Sequence, residues 1–278
     1  MSNLIQNITI ENFKSIKKLE MKDCARINLI IGKPNVGKSN IIEALSVFSL
    51  PYSTNLFYQF RNHIRLENET EMFYDGDISR PSIIDTGIEK AEISLKRETG
   101  LEINITQNDG RFCLLNVNEK FAIKRKEASS DFQSKIKRYT FRSGIKSYYV
   151  SRRLLMPPFG INMFEILLGE PKIRKEIEEL FFEYGLKLVM DKASKSLKIL
   201  KESGSDVFLL PYTSIADTLQ RVIFFKVAIE TSVNSVLIFE EPEAHAFPPY
   251  IAKITQEVIA SESNQFFITT HSPYVLND

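Results

Sequence analysis

Nine residues, "GKPNVGKSN" from Gly32 to Asn40, restrict the fold more than any other stretch of this chain. Gly32, Gly37, Lys38 and Ser39 stand at the spacing G-x-x-x-x-G-K-[ST], the pattern of a loop that cradles phosphate. The apolar run "RINLII" precedes it and "SNIIEALSVFSL" follows, which reads as a buried strand, a glycine loop and then a helix. In that setting the loop from Gly32 through Lys33, Pro34, Asn35, Val36 and Gly37 to Asn40 wraps a nucleotide's phosphates. Its backbone N–H groups and the positive end of the following helix dipole face the β-phosphate. Lys38 reaches the β- and γ-phosphates, and the Ser39 hydroxyl holds magnesium. The bland alternative is a glycine turn between a strand and a helix.

The chain has 278 residues, enough for one large or two modest domains. A net charge of +1 gives no bulk electrostatic hint of a partner. No apolar run has the length of a membrane span, and the start "MSNLIQNITIENFKS" lacks the features of a signal peptide. Cys24 and Cys113 have no metal-site spacing, so a reduced, cytoplasmic protein with no membrane partner is expected. Alternation over residues 5–31 predicts three strands, the third feeding the phosphate loop, and a helix is predicted from Lys38 to about Leu50. Residues 52–90 read as irregular, 91–126 as an antiparallel meander, and 128–147 as a polar loop or weak strand. A helix is expected over 162–185, then a strand pair at "LKLVMD" and "SLKILKE". The runs 27–31, 236–239 and 265–270 are apolar on both faces, the mark of parallel strands covered by helices. The expected fold is α/β, with a mixed-sheet core, an antiparallel β meander and a helical lobe. A lobe over 1–150 carries the loop, and 151–278 carries the rest of one composite domain.

Three further stretches carry chemistry. "VLIFEEPEAH" reads as a buried strand with two carboxylates at its carboxyl end, where ligands sit in parallel sheets. Neighbouring strand residues point to different sides, so Glu240 can face magnesium while Glu241 faces the attacking water. His271 follows the apolar run "FFITT" and can donate to a γ-phosphate oxygen. In "PYTSIADTLQR", Ser214 reads as the N-cap of a helix whose terminus could grip a nucleotide held by another subunit. The alternatives are an acidic solvated corner, a structural histidine and a plain helix cap.

The order "ITIENFKSI", "GKPNVGKSN", "PYTSIADTLQR", "LIFEEPEAH", "ITTHSP" resembles the ABC-like P-loop ATPases. That group includes SMC and RecF proteins and the bacterial AAA-type ATP-binding proteins related to the overcoming-lysogenization-defect nucleases. The resemblance covers nearly the whole chain. It implies ATP and Mg2+ as ligands, Glu240 at the metal and Glu241 as general base. It also implies His271 as γ-phosphate switch and Ser214 on the partner's nucleotide, in a head-to-tail dimer with two ATP molecules between the copies. It further implies a chain continuing past the seven residues that follow His271. The sequence departs from the family in having Glu240 where Asp is common, in lacking the double-glycine signature, and in having no heptad run for a coiled coil.

Basic residues crowd 120–147, with Tyr139, Phe141, Tyr148 and Tyr149 interleaved or adjacent, which is compatible with a nucleic-acid footprint or with a solvated strand edge. Three functional readings follow: an ATPase switch signalling to a separately encoded effector, as in phage defence; a DNA-repair or DNA-maintenance ATPase touching DNA through 120–147; and a module that holds ATP without turnover.

Overall fold

The strands predicted around the phosphate loop form in the structure, a computed structural model, which describes residues 4–32, 37–54, 59–145, 147–150, 152–204, 206–244, 246 and 248–271. Along the chain run strands β1 (Ile8–Phe13), β2 (Ile16–Met21) and β3 (Ile27–Ile30), then helix α1 (Lys38–Ser46). Six strands follow: β4 (Ser82–Asp85), β5 (Glu89–Lys96), β6 (Gly100–Gln107), β7 (Phe112–Val117), β8 (Ile123–Ala128) and β9 (Ile136–Tyr139). Next come α2 (Met163–Gly169), α3 (Pro171–Phe182), β10 (Leu186–Asp191), β11 (Ser196–Ser203), β12 (Asp206–Pro211) and α4 (Asp217–Glu230). The described elements close with β13 (Val236–Glu240), α5 (Pro248–Ala260) and β14 (Gln265–Thr269).

The chain separates into two compact units that do not follow its order. The first takes residues 1–138, 234–241 and 262–271, and the second takes 139–233, 242–261 and 272–278. The break expected near residue 150 falls inside the second unit, because β13 and β14 return to pair beside β3.

Two sheets build the first unit. The meander extends into a seven-stranded sheet in the order β2-β1-β4-β5-β6-β7-β8, antiparallel throughout. β1 and β4 join it at one end, so part of the stretch read as irregular is a strand. The second sheet runs β3-β14-β13-β9, with β14 parallel to both β13 and β3. All of β14 and all but the last residue of β13 are buried, as their unbroken apolar sequences require. β3 departs from that expectation. It lies at the sheet edge, and Leu29 remains 36% exposed. β9, which falls in the polar stretch, is the other edge and is fully buried. Ile8, Ile10, Ile42, Phe48, Ile103, Ile238 and Phe267 belong to one continuous apolar core between these layers. Cys24 and Cys113 are buried free thiols.

In the second unit the stretch read as one helix is split at Glu170–Pro171 into α2 and α3. Proline at the start of α3 lacks the N–H that would continue the ladder, and it suits the first turn of the new helix. The expected strand pair is a three-stranded antiparallel sheet, β10-β11-β12. α4 has Leu219, Val222, Ile223, Phe224 and Phe225 buried, and it packs against α3 and α5. Among the described residues no helix is long and apolar enough to cross a membrane.

Candidate functional site

Three strand ends in the first unit converge on one place. The parallel register sets Glu240 beside Thr269 and Thr269 beside Ile30, so the acidic pair, the histidine segment and the strand feeding the phosphate loop leave the sheet together. The Thr270 N–H donates to the Ile30 carbonyl at 3.4 Å, which ties the last two at their exit. Carboxyl ends of parallel strands are where ligands bind in open α/β sheets.

Gly37 opens α1 with φ 92°, in the left-handed region that a side chain disfavours. Lys38, the first residue of the helix, is buried, and its Nζ donates to the Gly32 carbonyl at 2.5 Å. The lysine therefore reaches back to the residue that opens the motif. Ser39 is half-buried on the same turn, and the Asn40 amide donates to Ser15 Oγ at 2.5 Å. Lys33, Pro34, Asn35 and Val36 lie outside the described residues.

Glu241 has φ 45°, an unusual conformation for a residue with a Cβ. Its N–H donates to the Thr269 carbonyl at 3.0 Å, which pins the reversal after β13. Its Oε1 lies 3.4 Å from His271 Nε2, and both side chains are open to solvent. The two residues assigned to base and switch are thus neighbours.

Glu240 has different company. Arg65 Nη2 donates to its Oε1 at 2.9 Å, and Arg138 Nη2 donates to its Oε2. Arg65 also donates from Nε to Glu43 Oε1 at 2.7 Å, while Lys14 Nζ reaches Glu43 Oε2 at 2.5 Å. The buried Glu43 lies one turn along α1 from Ser39, so Arg65 links the phosphate-loop helix to the acidic strand end. Burial works against the charge on Arg65, but the hydrogen bond to Glu43 and the negative charge of Glu240 outweigh it and raise its pKa. Arg138 is deeply buried, and desolvation lowers its pKa despite Glu240 and Glu43. It donates to the His63 carbonyl as well. The His63 ring is buried at 2.7 Å from Ser53 Oγ, and burial, with the Arg138 charge adding, lowers its pKa to about 3.

Magnesium can be tested against these donors. Ser39 offers a hydroxyl oxygen, the atom type this cation prefers, whereas both Glu240 oxygens accept from Arg65 and Arg138, so Glu240 would reach the cation by exchanging one of those partners. Among the described residues no cluster of three histidine, cysteine or acidic side chains could cage a metal by itself. The donors present fit a cation that arrives with a nucleotide and keeps phosphate and water ligands.

Two expectations change on contact with the structure. Ser214 does not cap α4. It ends a 3-10 turn over Tyr212–Ser214, and Ala216 is the N-cap, without a side-chain hydrogen bond. An extended Ile215 separates the two, so the serine is held ahead of the helix. The basic stretch 120–147 is also less of a surface than it reads. Lys137 is buried against Ser235 Oγ at 2.7 Å, and burial lowers its pKa to about 8. Arg138 turns inward to Glu240, and Arg125 donates to the Pro51 carbonyl at 2.9 Å. Lys120, Lys124, Arg125, Lys126 and Arg142 stay exposed.

Sequence reasoning missed Lys14, Glu43, Arg65 and His63. Lys14 and Ser15 lie in the turn of "ENFKSI", which docks on α1 through Glu43 and Asn40. A charged residue inside an otherwise apolar helix face, Glu43 in "NIIEALSVF", was the available signal.

Comparison with known proteins bears on the family and the fold. Residues 4–150 match the model of the AAA ATPase domain, more than half of the chain. The chain belongs to that family. Residues 96–277 of this ATPase domain also match the model described as "AAA domain, putative AbiEii toxin, Type IV TA system". An uncharacterised protein of Methanocaldococcus jannaschii, MJECL10, is 31% identical over 125 residues, 44% of this chain and 51% of that protein. A Helicobacter pylori protein named ATP/GTP phosphatase is 33% identical over 81 residues, 27% of this chain and 22% of that protein. The matches therefore span about half and about a fifth of those relatives' lengths. Among solved structures, an SMC head bound to the C-terminal winged-helix domain of ScpA aligns with TM-score 0.56 at 17% identity, covering 99% of this chain and 92% of that one. An SMC head with an extended coiled coil, bound to the C-terminal domain of ScpA derived from Pyrococcus furiosus, aligns with TM-score 0.56 at 13% identity, covering 99% and 91%. The fold is that of an ABC-like P-loop ATPase, with a mixed sheet, an antiparallel sheet and a helical part.

Proposed function

We propose that this ATPase domain binds and hydrolyses ATP as a switch, closing head to tail on a second copy and signalling its state to a separately encoded effector. One observation carries the reading: Gly37–Lys38–Ser39, Glu240–Glu241 and His271 all stand at the carboxyl ends of one parallel set of strands. Lys38, now on the Gly32 carbonyl, exchanges that contact for the β- and γ-phosphates when a triphosphate enters. Ser39 and Glu240 would hold Mg2+ with the nucleotide, and the bound ion would neutralise charge on the phosphates. Glu241 accepts a proton from the attacking water, and its backbone reversal sets the carboxylate off from Glu240. His271 Nε2, 3.4 Å from Glu241 Oε1, donates to the γ-phosphate and reports its loss. The relative named as an ATP/GTP phosphatase supports turnover over mere retention. Ser214, exposed ahead of α4, is the contact offered to the partner copy's nucleotide.

A defence setting and a second protein as effector are part of the same proposal. The burial of Lys137 and Arg138 removes two of the basic residues from the alternative of direct DNA contact through 120–147. The test is ATP binding by calorimetry together with phosphate release. Lys38→Ala should abolish both, with the fold retained. Near-normal ATP affinity in that variant would refute the site.

A further inference from the structure

The second unit contains a cavity of about 440 Å3, in the range of sites for small organic ligands. The function proposed above makes no use of it. Two stretches that stand out in the sequence meet in its wall: Phe159, Met163 and Phe164 come from "MPPFGINMF", and Tyr212, Gln220 and Phe224 from "PYTSIADTLQRVIFF". Gly160 explains how the floor is held. Its φ is +68°, and a Cβ there would lie 3.0 Å from the Phe224 ring and 3.1 Å from Leu155 Cδ1. Only glycine lets the backbone approach the ring so closely. Phe224 also meets Phe141 edge-on, with centroids 5.8 Å apart, so the aromatic wall is fixed before any ligand arrives.

The lining carries three cationic side chains, Arg142, Lys195 and Lys198, beside uncharged polar ones. The Arg142 guanidinium stands at the mouth, 5.8 Å from the Phe159 ring centroid, on an exposed residue. Lys198, also in the lining, is already tied to Asp191 at 2.6 Å. Ser147 Oγ is buried away from the cavity space and has no hydrogen-bond partner among the described residues. Gln220 is turned away, its amide donating to the Ile215 carbonyl at 2.9 Å.

We infer that this cavity binds a small aromatic anion: a planar ring against Phe141, Phe159 and Phe224, and an acidic group on Arg142. Aromatic walls favour a flat apolar body, and a guanidinium favours a carboxylate, sulfonate or phosphate. Tyr212 and Thr213 line the same cavity, so an occupant also restrains the turn that ends at Ser214. That consequence rests on the ATPase switch proposed above, whereas the binding itself does not.

The probe is 8-anilinonaphthalene-1-sulfonate, titrated into the full chain without nucleotide and followed by fluorescence and calorimetry. One saturable site per chain is expected. Met163→Trp, which fills the cavity from a half-buried position, should abolish binding. Arg142→Ala should weaken it about tenfold while leaving the uncharged N-phenyl-1-naphthylamine unaffected. Ile145→Trp serves as a second filling variant if Met163→Trp fails to melt cooperatively. Absent or multi-site binding overturns the proposal, as does binding that none of these substitutions changes. Adding the probe to the phosphate-release assay separates the two claims. Unchanged turnover with the site filled sinks the restraint on Ser214 and leaves the site. Loss of binding in the filling variants with turnover intact leaves the ATPase reading standing.

Discussion

Adjacent carboxylates at one strand end have unequal surroundings. Glu240 is clamped by Arg65 and Arg138, while Glu241 faces solvent and His271. Glu241→Gln keeps the shape and removes the proton acceptor, so ATP should bind and persist while phosphate release falls by a factor of about 100 or more. Glu240→Gln should instead raise the magnesium concentration needed for nucleotide binding. Wild-type turnover in Glu241→Gln would remove it as the base. The two arginines should also differ. Arg138→Ala strips a buried charge pair and should destabilise the fold by about 3–5 kcal/mol. Arg65, with a side chain 64% exposed, should cost about 1 kcal/mol or less. Equal losses in thermal melts would contradict this ordering. His63 adds a pH dependence. Its folded pKa of about 3 lies below the ordinary 6.5, so between these values the unfolded chain takes up a proton that the folded chain refuses. Stability therefore falls with pH in that window, by about 1.4 kcal/mol per unit from this group. His63→Gln should flatten that slope in denaturant titrations from pH 6.5 downward.

At the scale of elements, position within the sheet decides how much each strand matters. β13 lies between β14 and β9 and is buried up to Glu240, so it aims the two carboxylates. Ile238→Ala, at a fully buried position, should cost about 2–5 kcal/mol. It should impair nucleotide hydrolysis through misplacement of Glu240 and Glu241. Leu29→Ala on the edge strand β3 should cost about 1 kcal/mol or less, because that side chain is 36% exposed before it is removed. Melting temperatures and phosphate release on the same two variants test the contrast. If β3 proved as sensitive as β13, something must cover its exposed face in solution.

For the whole molecule, the decisive expectation is assembly that depends on the γ-phosphate. Ser214 belongs to the second unit and the phosphate loop to the first, which is the division a head-to-tail pair would use. Moving such a pair from mostly open to mostly closed requires ATP to favour the closed form by about 5 kcal/mol. Charge-assisted hydrogen bonds of about 1.5–3 kcal/mol each, made twice by symmetry, are sufficient. Glu241→Gln should sediment as a compact dimer with magnesium and ATP but not with ADP, and adding Ser214→Arg should abolish that dimer. A cross-link between Ser214 of one copy and Lys38 of the other is the direct check. Its absence with ATP retained would refute the sandwich.

The chain of residues alone determines a good deal. The spacing from Gly32 to Ser39 needs only a strand before it and a helix after it, and both are local consequences of apolar periodicity. The same holds for the two-face apolar runs of β13 and β14 and for the alternation of the meander. The placing of Glu240, Glu241 and His271 at the ends of such strands is legible for the same reason. Tertiary structure decides what depends on contacts between distant segments. β9 has a polar sequence, yet it is buried because Lys137 and Arg138 find Ser235 and Glu240 about a hundred residues away. Ser214 has the chemistry of a cap, but the extended Ile215 hands that position to Ala216. The charge relay from Lys14 through Glu43 and Arg65 to Glu240 joins four elements of sequence by side-chain geometry alone. No periodicity encodes such a relay, since its members share neither a strand nor a helix face.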